Sequence, residues 1–213
     1  MGLEQKSALR MAILGTRGIP AAYGGFETFA EELATRLAGR GHAVTVFGRR
    51  FWEEGSSGRL TNFKGVSIRA APTVRHKYFE TPLSSLTASL MIGLKYDVVI
   101  LCNAANSPFA WILRLKGLKL LINVDGIERL RGKWNILGRW WYRLGEICSV
   151  LFANRIVADA YTIARYYRES YGCQASVIRY GAKAEVLPPG GVMQSLGVTA
   201  KNYLLYVSRL EPE

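Results

Sequence analysis

Two clusters in this 213-residue chain have residue types and spacings suited to chemistry. The first is the run TRGIPAAYGG at residues 16–25, which ends in Gly24-Gly25 directly ahead of a helical pattern. A helix N-terminus offers free backbone N–H groups and a partial positive charge of roughly half a unit. Glycine lets a phosphate or sugar approach that backbone closely. Gly24 and Gly25 therefore read either as an anion or sugar cradle or as a tight turn. Glu27 either complements the helix dipole or accepts hydrogen bonds from a sugar hydroxyl. The second cluster is DGIERLRGKW at residues 125–134. Asp125 and Glu128 are candidate general bases or hydroxyl ligands, with Arg131, Lys133 and Trp134 alongside. Asp125-Gly126 also reads as a plain turn.

These clusters need elements that bring them together, and the hydrophobic pattern supplies them. Residues 11–15 (MAILG) and 43–47 (AVTVF) are apolar runs of buried-strand length, with an amphipathic helix between them. That helix carries Phe26, Phe29, Ala30, Leu33, Ala34 and Leu37 on one face. Strand–helix–strand within forty residues predicts a parallel sheet. The alternation continues with strands at 66–70, 98–102, 120–124, 155–158 and 175–179. Helices are predicted at 82–94, at 135–152, near 161–171, and after Ser107 as cap with Pro108 in the first turn. The fold class is α/β, a Rossmann-like doubly wound parallel sheet. Ligands in such sheets sit beyond the carboxyl ends of the strands. Gly24-Gly25, Asn103 and Asp125 all follow strands, so the spacing predicts one shared crevice.

A third feature spans residues 131–152. Ile136, Trp140, Leu144, Ile147 and Leu151 recur at helical spacing among Arg131, Lys133, Arg139 and Arg143. Such a helix either lies on an anionic membrane, each nearby Lys or Arg contributing about 1 kcal/mol, or packs on the sheet with a solvated polar face.

Composition narrows the partners. Twenty-eight Lys and Arg face sixteen Asp and Glu, a net charge of +12, which suits a phosphorylated or otherwise anionic partner. No nucleic-acid motif accompanies the aromatics, so nucleic acid is not expected. Two histidines and three scattered cysteines give no basis for a metal site or a disulfide framework. Residues 98–113, the longest uncharged stretch, contain Asn103, Asn106, Ser107 and Pro108 and fall short of a membrane span. A nicotinamide fingerprint is incomplete: Gly15 and Gly18 do not form GxGxxG, and only Arg49-Arg50 leaves room for an NADP-type 2′-phosphate.

Three segments resemble family 4 glycosyltransferases in the same order along the chain. Residues 11–47 resemble the opening of the subgroup that includes bacterial rhamnosyltransferases. INVDGIERLRGKW resembles its middle motif, and YLLYVSRLEPE the start of the family's C-terminal domain. The resemblance implies the N-terminal, acceptor-side half of a two-domain GT-B fold at residues 1–187. A linker at 188–201 would follow, then the first strand of a truncated donor-binding domain at 202–213. It also implies metal-independent, retaining transfer from a nucleotide-sugar, which is a co-substrate rather than a cofactor. The acceptor would be a glycan, lipid-linked at the cytoplasmic membrane face. Asp125 falls where relatives carry a His or Asp facing the sugar, and Arg209 matches the first basic residue of the donor-diphosphate clamp. Arg129-Leu130 departs from the subgroup's Trp-Lys. The family's acidic donor-sugar motif is not among these residues, so the 213-residue chain alone is expected to be inactive. The competing readings are a glycan- or membrane-binding module and an NADP-dependent oxidoreductase.

Overall fold

The computed structural model describes residues 7–22, 24–49, 61–76, 79–132, 134–182, 184, 191–199 and 201–206. Eight strands form one sheet in the order β3-β4-β2-β1-β5-β6-β7-β8. They are β1 (Arg10–Leu14), β2 (Ala43–Arg49), β3 (Thr61–Phe63), β4 (Val66–Ala71), β5 (Val98–Cys102), β6 (Lys119–Val124), β7 (Arg155–Ala158) and β8 (Ala175–Val177). Every neighbouring pair is parallel except the β3–β4 hairpin. The expected doubly wound parallel sheet is present.

The helices are α1 (Gly25–Gly39), α2 (Glu80–Met91), α3 (Ala110–Leu115), α4 (Ile136–Phe152), α5 (Tyr161–Tyr171) and α6 (Gly191–Ser195). Period-2 alternation divides the core. Met11 and Ile13 of β1 pack with Val44 and Val46 of β2 against Ala30 and Ala34 of α1. Ala12 and Leu14 face the opposite layer, where Ala88 of α2, Leu113 of α3 and Tyr167 of α5 close the second core. The chain leaves β1 toward one layer and β5 toward the other. The rim between these two strands is therefore the topological switch point, where a sheet of this type opens a crevice.

Several expected elements shift. α2 begins at Glu80 and stops at Met91, because Ile92 turns extended (φ −63°, ψ 127°). Lys116 Nζ then donates to the Ser89, Leu90 and Ile92 carbonyls at 2.9, 2.7 and 2.8 Å, closing that helix end. Ser107 is not a helix cap. Residues Ala104–Phe109 form a 3₁₀ segment capped by Asn103, whose Oδ1 accepts from Ala105 N at 2.9 Å. Ser107 is instead fully buried and accepts from Ser149 Oγ at 2.8 Å. Pairing in β8 ends at Val177, two residues before the expected end. The short strand β3 and helix α6 were not expected. Residues 203–206 carry no strand and stay exposed, with Leu204 and Tyr206 fully or nearly open to solvent; an isolated strand has no ladder to join.

Candidate functional site

The glycine pair opens α1 as its spacing predicts. Gly24 is the residue before the helix and sits at φ +115°, a conformation glycine adopts at little cost. A Cβ there would run into the Glu27 carboxylate, whereas one on Gly25 would meet open space. The backbone at Gly25 is thus approachable from outside. Glu27 itself points inward. It is buried, and its Oε1 accepts from Arg17 N at 3.0 Å. One turn on, Glu31 Oε2 accepts from Ala21 N at 2.6 Å. These two carboxylates pin the first loop to α1, so the nearest role for Glu27 is to shape the loop.

Asn106 ties the ends of β1 and β5 across the switch point. Its amide donates to Gly15 O at 3.1 Å and Cys102 O at 2.6 Å, and its Oδ1 accepts from Ser85 Oγ. Asn103 stands at the same rim in a left-handed conformation (φ 71°), with Oδ1 occupied by its cap bond.

Asp125 follows β6 and is only partly exposed. Its neighbour is Asp159, which follows the adjacent parallel strand β7. Burial raises the Asp125 carboxyl from its ordinary 3.8 to about 6, with Asp159 and Glu128 adding like-charge repulsion against the opposing pull of Arg131. A hydrogen bond between the two carboxyls also favours the protonated form. Asp159 was missed in the sequence because an Asp after a strand reads as a turn; only the adjacency of β6 and β7 makes it a partner.

Tyr180 links this pair to the first turns of α1. Its ring lies 5.0 Å from that of Phe29 on α1, and its hydroxyl accepts from Asn123 Nδ2 at 3.1 Å. Burial, then the nearby Asp125 carboxylate, raises the Tyr180 phenol. The α1 N-terminus and Asp125 therefore share one rim. That rim also holds unspent hydrogen-bonding capacity: of the four buried side-chain atoms without a partner among the described residues, Thr16 Oγ1, Asn123 Oδ1 and Asp159 Oδ1 belong to residues at or just past strand ends there, and Tyr96 precedes β5. Buried polar atoms are usually satisfied, so orphans grouped at one edge call for an explanation.

The rest of the second cluster forms a flank. Arg131 Nη1 pairs with Glu128 Oε1 at 2.8 Å, and Trp134 Nε1 donates to Glu128 Oε2 at 3.5 Å while its ring packs 5.0 Å from Tyr142. Lys133 and Arg209 lie outside the described residues. Arg129, the departure noted above, turns inward. It donates to Tyr166 Oη at 2.7 Å and lies 3.3 Å from the buried Glu146, which also accepts from Tyr166 and Tyr171. This network ties the turn at Arg129 and the second half of α4 to α5. Arg49 is spent as well: its guanidinium meets Glu80 at 2.6 Å and Thr81 at 2.9 Å, so it is not free to hold a 2′-phosphate. No group of three or more His, Cys, Asp or Glu among the described residues is arranged to hold a metal. No helix among them is long and apolar enough to cross a membrane.

The doubly wound, mostly parallel α/β sheet is the fold class of the GT-B glycosyltransferases. The profile of Glycosyltransferase Family 4 matches residues 23–190, and the chain belongs to that family. The fold is similar to HepE of Anabaena, solved with UDP, at TM-score 0.59 and 14% identity over 89% of this chain and 50% of that one. It is also similar to a sucrose-phosphate synthase structure from Thermosynechococcus elongatus (0.57, 14%, 88% and 94%). A third likeness is to UGT89C1 of Arabidopsis thaliana, solved with UDP-L-rhamnose (0.52, 12%, 92% and 55%). The chain spans half the length of the HepE structure. No curated protein sequence matches it.

Proposed function

We propose that this chain is the acceptor-side half of a retaining, metal-independent glycosyltransferase that moves a sugar, with rhamnose the first donor to test, from a nucleotide-sugar to a lipid-linked glycan. Residues 1–187 form the acceptor-side domain in this reading, 188–201 a linker, and 202–213 the entry to the donor-binding half. The observation that carries it is the Asp125–Asp159 pair on the same rim as the open α1 N-terminus, with three unpartnered polar atoms around it. A carboxyl titrating near 6 is matched to proton transfer at neutral pH. Asp125 orients the acceptor hydroxyl and takes its proton as the oxygen bonds to the anomeric carbon on the same face that the diphosphate leaves, which retains the configuration. The bond from that carbon to the diphosphate breaks, and its electron pair leaves with the diphosphate. The N–H groups at Gly24 and Gly25 and the Arg209 side chain neutralise that charge. Asp159 acts through Asp125, as a positioning residue that holds its proton affinity up. Asn103, Glu128, Arg131, Lys133 and Trp134 flank the acceptor. The protein works as a peripheral enzyme at the inner membrane face.

The test is release of nucleoside diphosphate by the full-length protein with a panel of nucleotide-sugars and extracted lipid acceptors. Asp125→Asn is expected to lower turnover by about 10²- to 10⁴-fold. Normal turnover in that variant removes Asp125 from the mechanism, and no transfer from any donor leaves a glycan-binding module. The 213-residue chain alone is expected to show no turnover.

A further inference from the structure

The apolar stripe of α4 faces outward. Ile136, Leu137 and Trp140 are 74%, 78% and 70% exposed, and Leu151 at the far end is 67% exposed. The inward face is made of small and polar groups instead: Gly145, Glu146, Cys148 and Ser149 are its buried residues. Gly145 lies so close to the Ala104 carbonyl that a Cβ would collide with it. Trp141 Nε1 donates to Ala105 O at 3.0 Å, which fixes the helix's rotation. The stripe therefore cannot turn into the core.

Between the stripe and the preceding turn runs a groove of about 400 Å³, lined by Arg129, Leu130, Ile136, Arg139, Trp140 and Arg143. No described carboxylate lines it. The only acid of α4, Glu146, is buried and held by Arg129, Tyr166 and Tyr171. Arg139 is exposed, and its guanidinium has no partner among the described residues. The lining thus carries three arginines and no described carboxylate, which favours an anionic partner over a basic one.

We infer that the outward face of α4 is a docking surface for an anionic phospholipid bilayer, with Ile136, Leu137 and Trp140 entering the headgroup boundary and Arg139 and Arg143 meeting lipid phosphates. A helix in that plane buries its apolar side a few ångströms deep while its cations stay at the phosphates. This deepens the lipid-linked acceptor reading and rests on it for its purpose. Arg129 lines the groove and lies four positions from Asp125 in the chain, so an acceptor rising from the bilayer would arrive at the carboxylate rim.

The experiment is co-sedimentation of the full-length protein with vesicles of phosphatidylcholine alone or with one-third phosphatidylglycerol, at low and high salt. The expected result is sedimentation with the anionic vesicles only, weakened by salt. The double variant L137S/W140S and the single variant R139E should each lower that binding by about tenfold or more. Both sites are solvent-exposed, and unchanged circular dichroism confirms that the variants fold. Equal binding to neutral vesicles, binding undisturbed by either variant, or no vesicle binding overturns the proposal. So does concentration-dependent self-association that L137S/W140S abolishes in the absence of vesicle binding, since a second copy would then be the occupant. Vesicle binding requires no donor sugar, so its failure and a failure of sugar transfer are separate results.

Discussion

Asp125→Asn should stabilise the fold at neutral pH while it removes the proposed base. The folded protein holds the Asp125 proton up to about pH 6, against 3.8 for the free side chain. Between those values the folded state binds more protons than the unfolded state, so stability falls as pH rises through that window. The full cost of ionising the group in place is about 3 kcal/mol. The carboxyl is only partly buried, and solvent screening reduces that to about 1–2 kcal/mol. An asparagine amide cannot ionise, and its N–H can be donated to the Asp159 carboxylate, whose Oδ1 has no partner among the described residues. Urea unfolding of wild type and variant at pH 3.5 and pH 7.5 reads the difference. The variant should gain about 1–2 kcal/mol at pH 7.5 and almost nothing at pH 3.5, where both forms are neutral. Equal effects at the two pH values, or a loss at pH 7.5, would refute the idea that burial and a like charge strain this carboxylate.

Asp159→Asn should move the acidic limb of the full-length enzyme's turnover to lower pH, because a like charge beside Asp125 is lost; an unmoved limb with lower turnover would mean that Asp159 acts otherwise. Gly24→Ala should cost about 1–3 kcal/mol by thermal unfolding, since alanine resists φ +115° and its Cβ meets the Glu27 carboxylate. Glu146→Ala should cost about 3 kcal/mol or more, because Arg129 loses its carboxylate and two tyrosine hydroxyls lose their acceptor. The Cys102 thiol, raised by burial and then by Glu27, should react with a thiol reagent only as fast as the protein unfolds.

The sheet was legible because parallel strands covered on both faces read as plain apolar runs, as at Val98–Cys102. The strand Thr61–Phe63 lacks that signal: it is three residues long and pairs on one side only. The glycine pair and Asp125 were readable as loop residues beyond strand ends. Asp159 was not, since a carboxylate pair built from neighbouring strands appears only once strand order is known. Helix α4 shows the limit of periodicity most clearly. Spacing told which residues share a face but not which way that face looks. The decisive signal was the opposite stripe, where Gly145 and Ser149 stand four apart and allow the close approach to Ala104 and Ser107. Ser107 misled for a related reason: its hydroxyl suits a cap, but burial beside Ser149 gave it a tertiary partner first.

The strand order carries a consequence for biosynthesis. Strand β1 is made first yet lies in the middle, and its second neighbour β5 emerges from the ribosome nearly ninety residues later, Met11 meeting Val98. Until then the nascent chain holds a half-covered centre, a state in which exposed apolar edges invite chaperones. After β5, each new strand–helix unit docks on the edge completed just before it, β6 on β5, β7 on β6, β8 on β7. Translation pauses should therefore be harmless late in this chain and hazardous before residue 102, where the centre still waits for its partner.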